Sequence, residues 1–157
     1  MCADDRKLIE ALDEIWSSVQ LVAALSIFWS DDRRVVEVLL NNYWSHFEIL
    51  EVLSEVWAND WRVIKAVDGI LSDKNVVEAL SKNWEEQKIV KILSEVWSDD
   101  RRLVRALAGQ WEDDRQTVAA LFKVWSDRRV VQALAGQWSD SRVIAAVIFV
   151  WGSEGSD

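Results

Sequence analysis

The sequence predicts an all-α protein built from about eleven short antiparallel helices. Three observations carry that prediction: a ladder of tryptophans at even spacing, an apolar pattern of helical period inside each rung, and a serine–acid punctuation between rungs. The chain has 157 residues, of which 11 are Trp and none is Pro. Trp16, Trp29, Trp44, Trp57, Trp84, Trp97, Trp111, Trp125, Trp138 and Trp151 fall on steps of 13 to 15 residues. Only the step from Trp57 to Trp84 is doubled, and Leu71 fills the missing rung. The chain therefore reads as eleven units, each closing on one of these residues.

Each unit justifies a helix by what stands eight, five and four residues before its closing residue. Unit one has Leu8, Ala11 and Leu12 there, unit two Leu21, Ala24 and Leu25, and unit three Val36, Leu39 and Leu40. Unit four has Ile49, Val52 and Leu53, unit five Val63, Ala66 and Val67, and unit six Val76, Ala79 and Leu80. Unit seven has Ile89, Ile92 and Leu93, unit eight Leu103, Ala106 and Leu107, and unit nine Thr117, Ala120 and Leu121. Unit ten has Val130, Ala133 and Leu134, and unit eleven Val143, Ala146 and Val147. Thr117 is the one polar residue in the set. At roughly 100° per residue these offsets and the closing residue cover one side of a helix. A strand would need strict alternation, which is absent.

The residue after the closing position is Ser in seven units, and an acid follows within a few residues, as in Trp97-Ser98-Asp99-Asp100. Ser and Asp accept the orphan N–H groups of a helix start, and carboxylates suit its positive end. Connections this short make successive helices antiparallel. A longer period overlies the first. Three residues before the closing position, every even unit has a small residue: Ser26, Ser54, Ser81, Ala108 and Ala135. The heptapeptides at 105–111 and 132–138, RALAGQW and QALAGQW, nearly repeat one another two units apart. The repeat is thus an αα-hairpin of about 27 residues.

Stacked αα-hairpins of this kind resemble an α-solenoid, the architecture of tetratricopeptide, HEAT and armadillo proteins. The resemblance is one of architecture alone. The units are shorter than the roughly 34 or more residues of those repeats and match none of their consensus patterns. A compact multi-helix bundle is the alternative packing. Residues 1–151 read as a single helical-repeat domain and 152–157 as a flexible Gly/Ser/acid tail.

The longest apolar run, Val143 to Trp151, is far short of a membrane span, and the start of the chain has no apolar signal-peptide core. One Cys excludes a disulfide framework, so the reading is a soluble cytoplasmic protein without membrane contact. Chemistry-bearing motifs are missing: His46 is the only imidazole and reads as a solvated loop residue, Cys2 lies near the terminus, and no metal, phosphate or cofactor motif is present. No catalytic residue, metal or cofactor is expected. Arg pairs such as Arg33-Arg34, Arg101-Arg102 and Arg128-Arg129 follow acids in a chain of net charge −9, which points to charge pairing and away from nucleic acid.

Ten Trp share one structural position, and Trp61 stands outside it. It lies ten residues before Leu71, where other units have Arg or Lys, and Phe47 fills the same slot one unit earlier, near Tyr43. Ile148 and Phe149 depart from the usual apolar stripe of the last helix. Tyr43, Phe47, Trp61, Ile148 and Phe149 are therefore the candidate interface residues, with the C-terminal helix meeting a protein partner or a second copy. Together these features read as a non-enzymatic helical-repeat scaffold, designed or engineered and without native catalytic activity. The alternative is a natural α-solenoid module for protein–protein interaction.

Overall fold

The computed structural model describes residues 3–155, and within them the chain is all-α. The helices are α1 (Ala3–Asp13), α2 (Ser18–Phe28), α3 (Asp32–Asn41), α4 (His46–Trp57), α5 (Asp60–Val67), α6 (Asp73–Asn83), α7 (Glu86–Trp97), α8 (Asp100–Gln110), α9 (Asp114–Val124), α10 (Asp127–Leu134) and α11 (Asp140–Gly155). Each falls in one of the units read from the sequence. α11 continues through Gly152 to Gly155, into the segment read as a tail, and residues 156 and 157, like Cys2, lie outside the described residues.

The punctuation works as helix capping. Ser17, Ser45 and Ser126 each accept the N–H of the residue three ahead. Asp31, Asp99 and Asp113 take over where an acid follows the serine or glutamate, and Asn59 caps α5. Each such cap is worth about 1 kcal/mol. α5 and α10 stop early. Gly69 and Gly136 adopt φ of +83° and +87°, a left-handed turn that closes both loops with matching hydrogen bonds back to Val67 and Leu134.

Contacts divide the chain into two compact units between Asn83 and Trp84. In the first, α1 packs on α3, α2 on α4, α3 on α5 and α4 on α6. In the second, α7 packs on α9, α8 on α10 and α9 on α11. Within each unit, then, alternate helices stack on one another and successive helices form the hairpins between layers. The stacking buries the predicted stripe: Val36, Leu39, Ile49 and Leu53 in the first unit, and Ile89, Leu93, Leu103 and Leu107 in the second, are inaccessible to solvent. Each such side chain contributes roughly 1.5–3 kcal/mol. Thr117 is fully buried with them.

Candidate interaction surface

Arginines in the first turns of α3, α5, α10 and α11 tie one helix to the next but one. Arg62 in the first turn of α5 lies 4.2 Å from the centre of the Trp57 ring and donates from Nε and Nη2 to both oxygens of Asp32 at the start of α3, each at 2.8 Å. Arg129 of α10 does the same over Trp125, at 4.2 Å, and onto Asp100 of α8, at 2.8 Å. Arg142 of α11 lies 4.0 Å from Trp138 and bonds Asp114 of α9 at 2.7 Å. Arg34 of α3 stacks on Trp29 at 4.1 Å and reaches both oxygens of Asp5 of α1 through Nη2. The hydrogen-bonded carboxylate raises Arg62, Arg129 and Arg142 above the ordinary arginine value, so each guanidinium stays charged. Within each unit, starts of alternate helices therefore lie side by side, and alternate helices run in the same direction.

The opposite ends are joined by the indoles. Trp57 Nε1 donates to Ser26 Oγ at 2.8 Å and Trp125 Nε1 to Ser94 Oγ at 3.0 Å, in each case the residue three before the closing position two helices back. These ring N–H groups thus meet side-chain hydroxyls of the helix two back. At the last pair the acceptor is replaced by a ring, and Phe122 packs on Trp151 with centroids 5.7 Å apart. Trp97 Nε1 is buried without a hydrogen-bond partner, as is Thr117 Oγ1.

The slot that singles out Phe47 and Trp61 has its own logic. In α1, α4 and α9 a first-turn side chain there lies against the helix two further on, or against the loop that follows it. Phe47 of α4 receives Lys82 of α6, whose Nζ is 3.8 Å from the ring centre. At α9 and α11 the roles are exchanged: the cation, Arg115, is in the first turn, and the aromatic, Phe149, is in the later helix, 4.4 Å away. Arg6 and Tyr43 repeat that second arrangement, with a 3.3 Å hydrogen bond to the phenol oxygen. Where the later helix offers a glycine instead, an arginine lies close to it: Arg33 near Gly69, bonding the Asp68 carbonyl at 2.6 Å, and Arg101 near Gly136. His46 also belongs to this seam. It is the first residue of α4, is largely covered, stacks on Phe47 and bonds Glu78 of α6 at 2.7 Å, so it is not a solvated loop residue.

Two equivalent grooves flank the stacks. One, of about 720 Å³, runs between the start of α3 and α5 and includes Asp32, Arg33, Trp61, Arg62 and Lys65. The other, of about 650 Å³, lies between the start of α9 and α11 and includes Asp114, Arg115, Arg142 and Phe149. Trp61, half-exposed, has Lys65 of its own helix at 5.8 Å. Of the five candidate residues, Tyr43, Phe47 and Trp61 belong to the first unit and Ile148 and Phe149 to the second. Tyr43 is exposed at a loop with φ +68°, Phe47 is half-buried, Trp61 borders the first groove, and Ile148 and Phe149 are exposed on α11.

The exposed apolar surface is wider than those five. Ile27 and Phe28, at the end of α2, are 87 % and 81 % exposed, and Ile15 near the end of α1 is also exposed. The sequence holds the signal as two bulky residues, Ile27 and Phe28, immediately before the closing Trp29 and outside the offsets of the stripe. On α11, Ile144 and Trp151 join Ile148 and Phe149. Among the described residues no group of three or more His, Cys, Asp and Glu side chains is placed to hold a metal, and no helix is long and apolar enough to cross a membrane. No protein-family model, curated protein or solved structure matches the chain.

Proposed function

We propose that the protein is a non-enzymatic helical-repeat scaffold that binds other proteins through the apolar side chains left outside its helix stacks. One contrast carries the reading. First-turn Arg62, Arg129 and Arg142 are held by Asp32, Asp100 and Asp114 between helices, whereas Ile27, Phe28 and Ile148 stand in solvent. Exposed aromatic and aliphatic groups of this size favour macromolecular contact. The net charge of −9 supports proteins over nucleic acid as partners.

The test compares partners captured by the native chain with those captured by a chain carrying Phe28→Asp, Tyr43→Asp, Ile148→Asp and Phe149→Asp, with helix content verified by circular dichroism. Loss of the specific partners from the folded, substituted chain supports the reading; an unchanged set of partners refutes it. The regularity of the Trp–Arg–Asp pairs favours a second reading, an engineered scaffold with no native partner. That reading predicts that the native chain captures no specific protein at all, with or without the four substitutions.

A further inference from the structure

We infer that the outer surface of α11 is a docking site for one further amphipathic helix, supplied by a partner protein and carrying an arginine nine residues before a tryptophan. The inference rests on the protein-binding reading above and names the chemistry of the partner. Its template is inside the molecule. α9 receives α11 through three positions: Asp114, which takes the Arg142 fork at 2.7 Å; Val118, which is wholly buried; and Phe122, which packs on Trp151. Asp114, Val118 and Phe122 stand eleven, seven and three residues before Trp125.

α11 repeats that receiving surface with nothing upon it. Eleven, seven and three residues before Trp151 stand Asp140, Ile144 and Ile148. Ile144 is 56 % and Ile148 61 % exposed, where Val118 is 0 %. Among the described residues Asp140 has no ion pair, although the equivalent acids Asp32, Asp100 and Asp114 each hold an arginine fork. α10 ends its layer in the same condition, with Asp127 unpaired and Val131 exposed. The complement of an acid and two branched aliphatics at this spacing is what α11 itself presents to α9: Arg142 and, nine residues later, Trp151. Charge complementarity selects a cation at the start of the incoming helix, and the apolar pair selects a large ring at its end.

The test titrates the full chain into a fluorescent peptide of residues 97–111, which carries Arg102 and Trp111 at the required spacing, and follows anisotropy. Saturable binding is expected. Asp140→Arg should weaken it about tenfold, the peptide with Arg102→Asp should restore binding to that substituted chain, and Ile148→Asp should abolish it. Phe28→Asp, on the other unit, should leave it unchanged. Absence of saturation up to about 1 mM overturns the inference. So does binding indifferent to Asp140→Arg and Ile148→Asp in folded protein. Sedimentation of the chain alone as a dimer that Ile148→Asp dissociates overturns it too, because a second copy is then the occupant. If the peptide fails while partner capture still depends on Phe28 and Tyr43, the docking inference falls and the scaffold reading stands.

Discussion

Removing Arg129 tests whether the Trp–Arg–Asp pairs hold the stacks. Its guanidinium makes two hydrogen bonds of 2.8 Å to Asp100 and lies 4.2 Å from the centre of Trp125. At an effective dielectric near 20 two unit charges at about 4 Å attract by about 4 kcal/mol. The two side chains retain 42 % and 32 % of their exposure, so solvent screening, desolvation and side-chain ordering reduce the net value to about 1 kcal/mol. Stacking on the indole adds about 1 kcal/mol. Arg129→Ala is therefore expected to cost about 2 kcal/mol, and a double-mutant cycle with Asp100→Asn to show a coupling of about 1 kcal/mol. Arg129→Lys keeps the charge but not the planar fork, and should lose about half of the total. Arg115 and Asp113 provide the control: one bond of 3.2 Å between two half-exposed side chains, with an expected coupling of a few tenths of a kcal/mol at most. Urea unfolding gives the free energies, and native-state hydrogen exchange in α8 and α10 checks them where a repeat protein departs from one-step unfolding. A coupling at Arg129–Asp100 no larger than at Arg115–Asp113 would show that the fork does not hold α8 and α10 together.

Three further substitutions probe the core, the indoles and the helix endings. Thr117→Val removes a buried hydroxyl without a partner and keeps the shape, so it should raise stability by about 1 kcal/mol in urea unfolding; a loss would reveal a partner for the hydroxyl. Trp125→Phe should cost about 1 kcal/mol more than Trp97→Phe, because only the first discards a hydrogen bond, the one to Ser94; equal costs would show that the bond contributes nothing. Gly136→Ala forces a β-carbon onto φ +87° and should cost more than about 1 kcal/mol, whereas Gly109→Ala, helical in the last turn of α8 and in open space, should gain about 0.5–1 kcal/mol. The same sign for both would contradict the two helix endings.

The helices were legible because burial inside one helix is a local matter. Leu, Ala and Val at fixed distances before each Trp define a stripe, and Ser or Asp beyond it defines the next start. What lies between helices was not legible in the same way. Phe47 looked free because its covering cation, Lys82, is on α6, and Phe149 looked anomalous because Arg115 is on α9. The signal was present as an exchange: an aromatic ten before one closing residue goes with a cation two before the closing residue two units later, and the reverse. The hexapeptide ALAGQW marks a second limit. At 106–111 its helix runs on to Gln110, while at 133–138 it breaks after Leu134 with Arg101 lying against Gly136. Glycine adopts both conformations at little cost, so the neighbouring helix decides and the local sequence does not.

The arginine Nε–H groups report directly on whether first-turn charges bind alternate helices together. Nitrogen-15 spectra resolve these protons, and their exchange with water reports whether each is held. Arg62, Arg129 and Arg142, whose Nε atoms lie 2.7 to 2.8 Å from carboxylate oxygens of the helix two back, should exchange markedly more slowly than Arg33 and Arg101, which place other guanidinium atoms against the neighbouring helix. Uniform exchange of all arginines at the rate of a free guanidinium would contradict such binding.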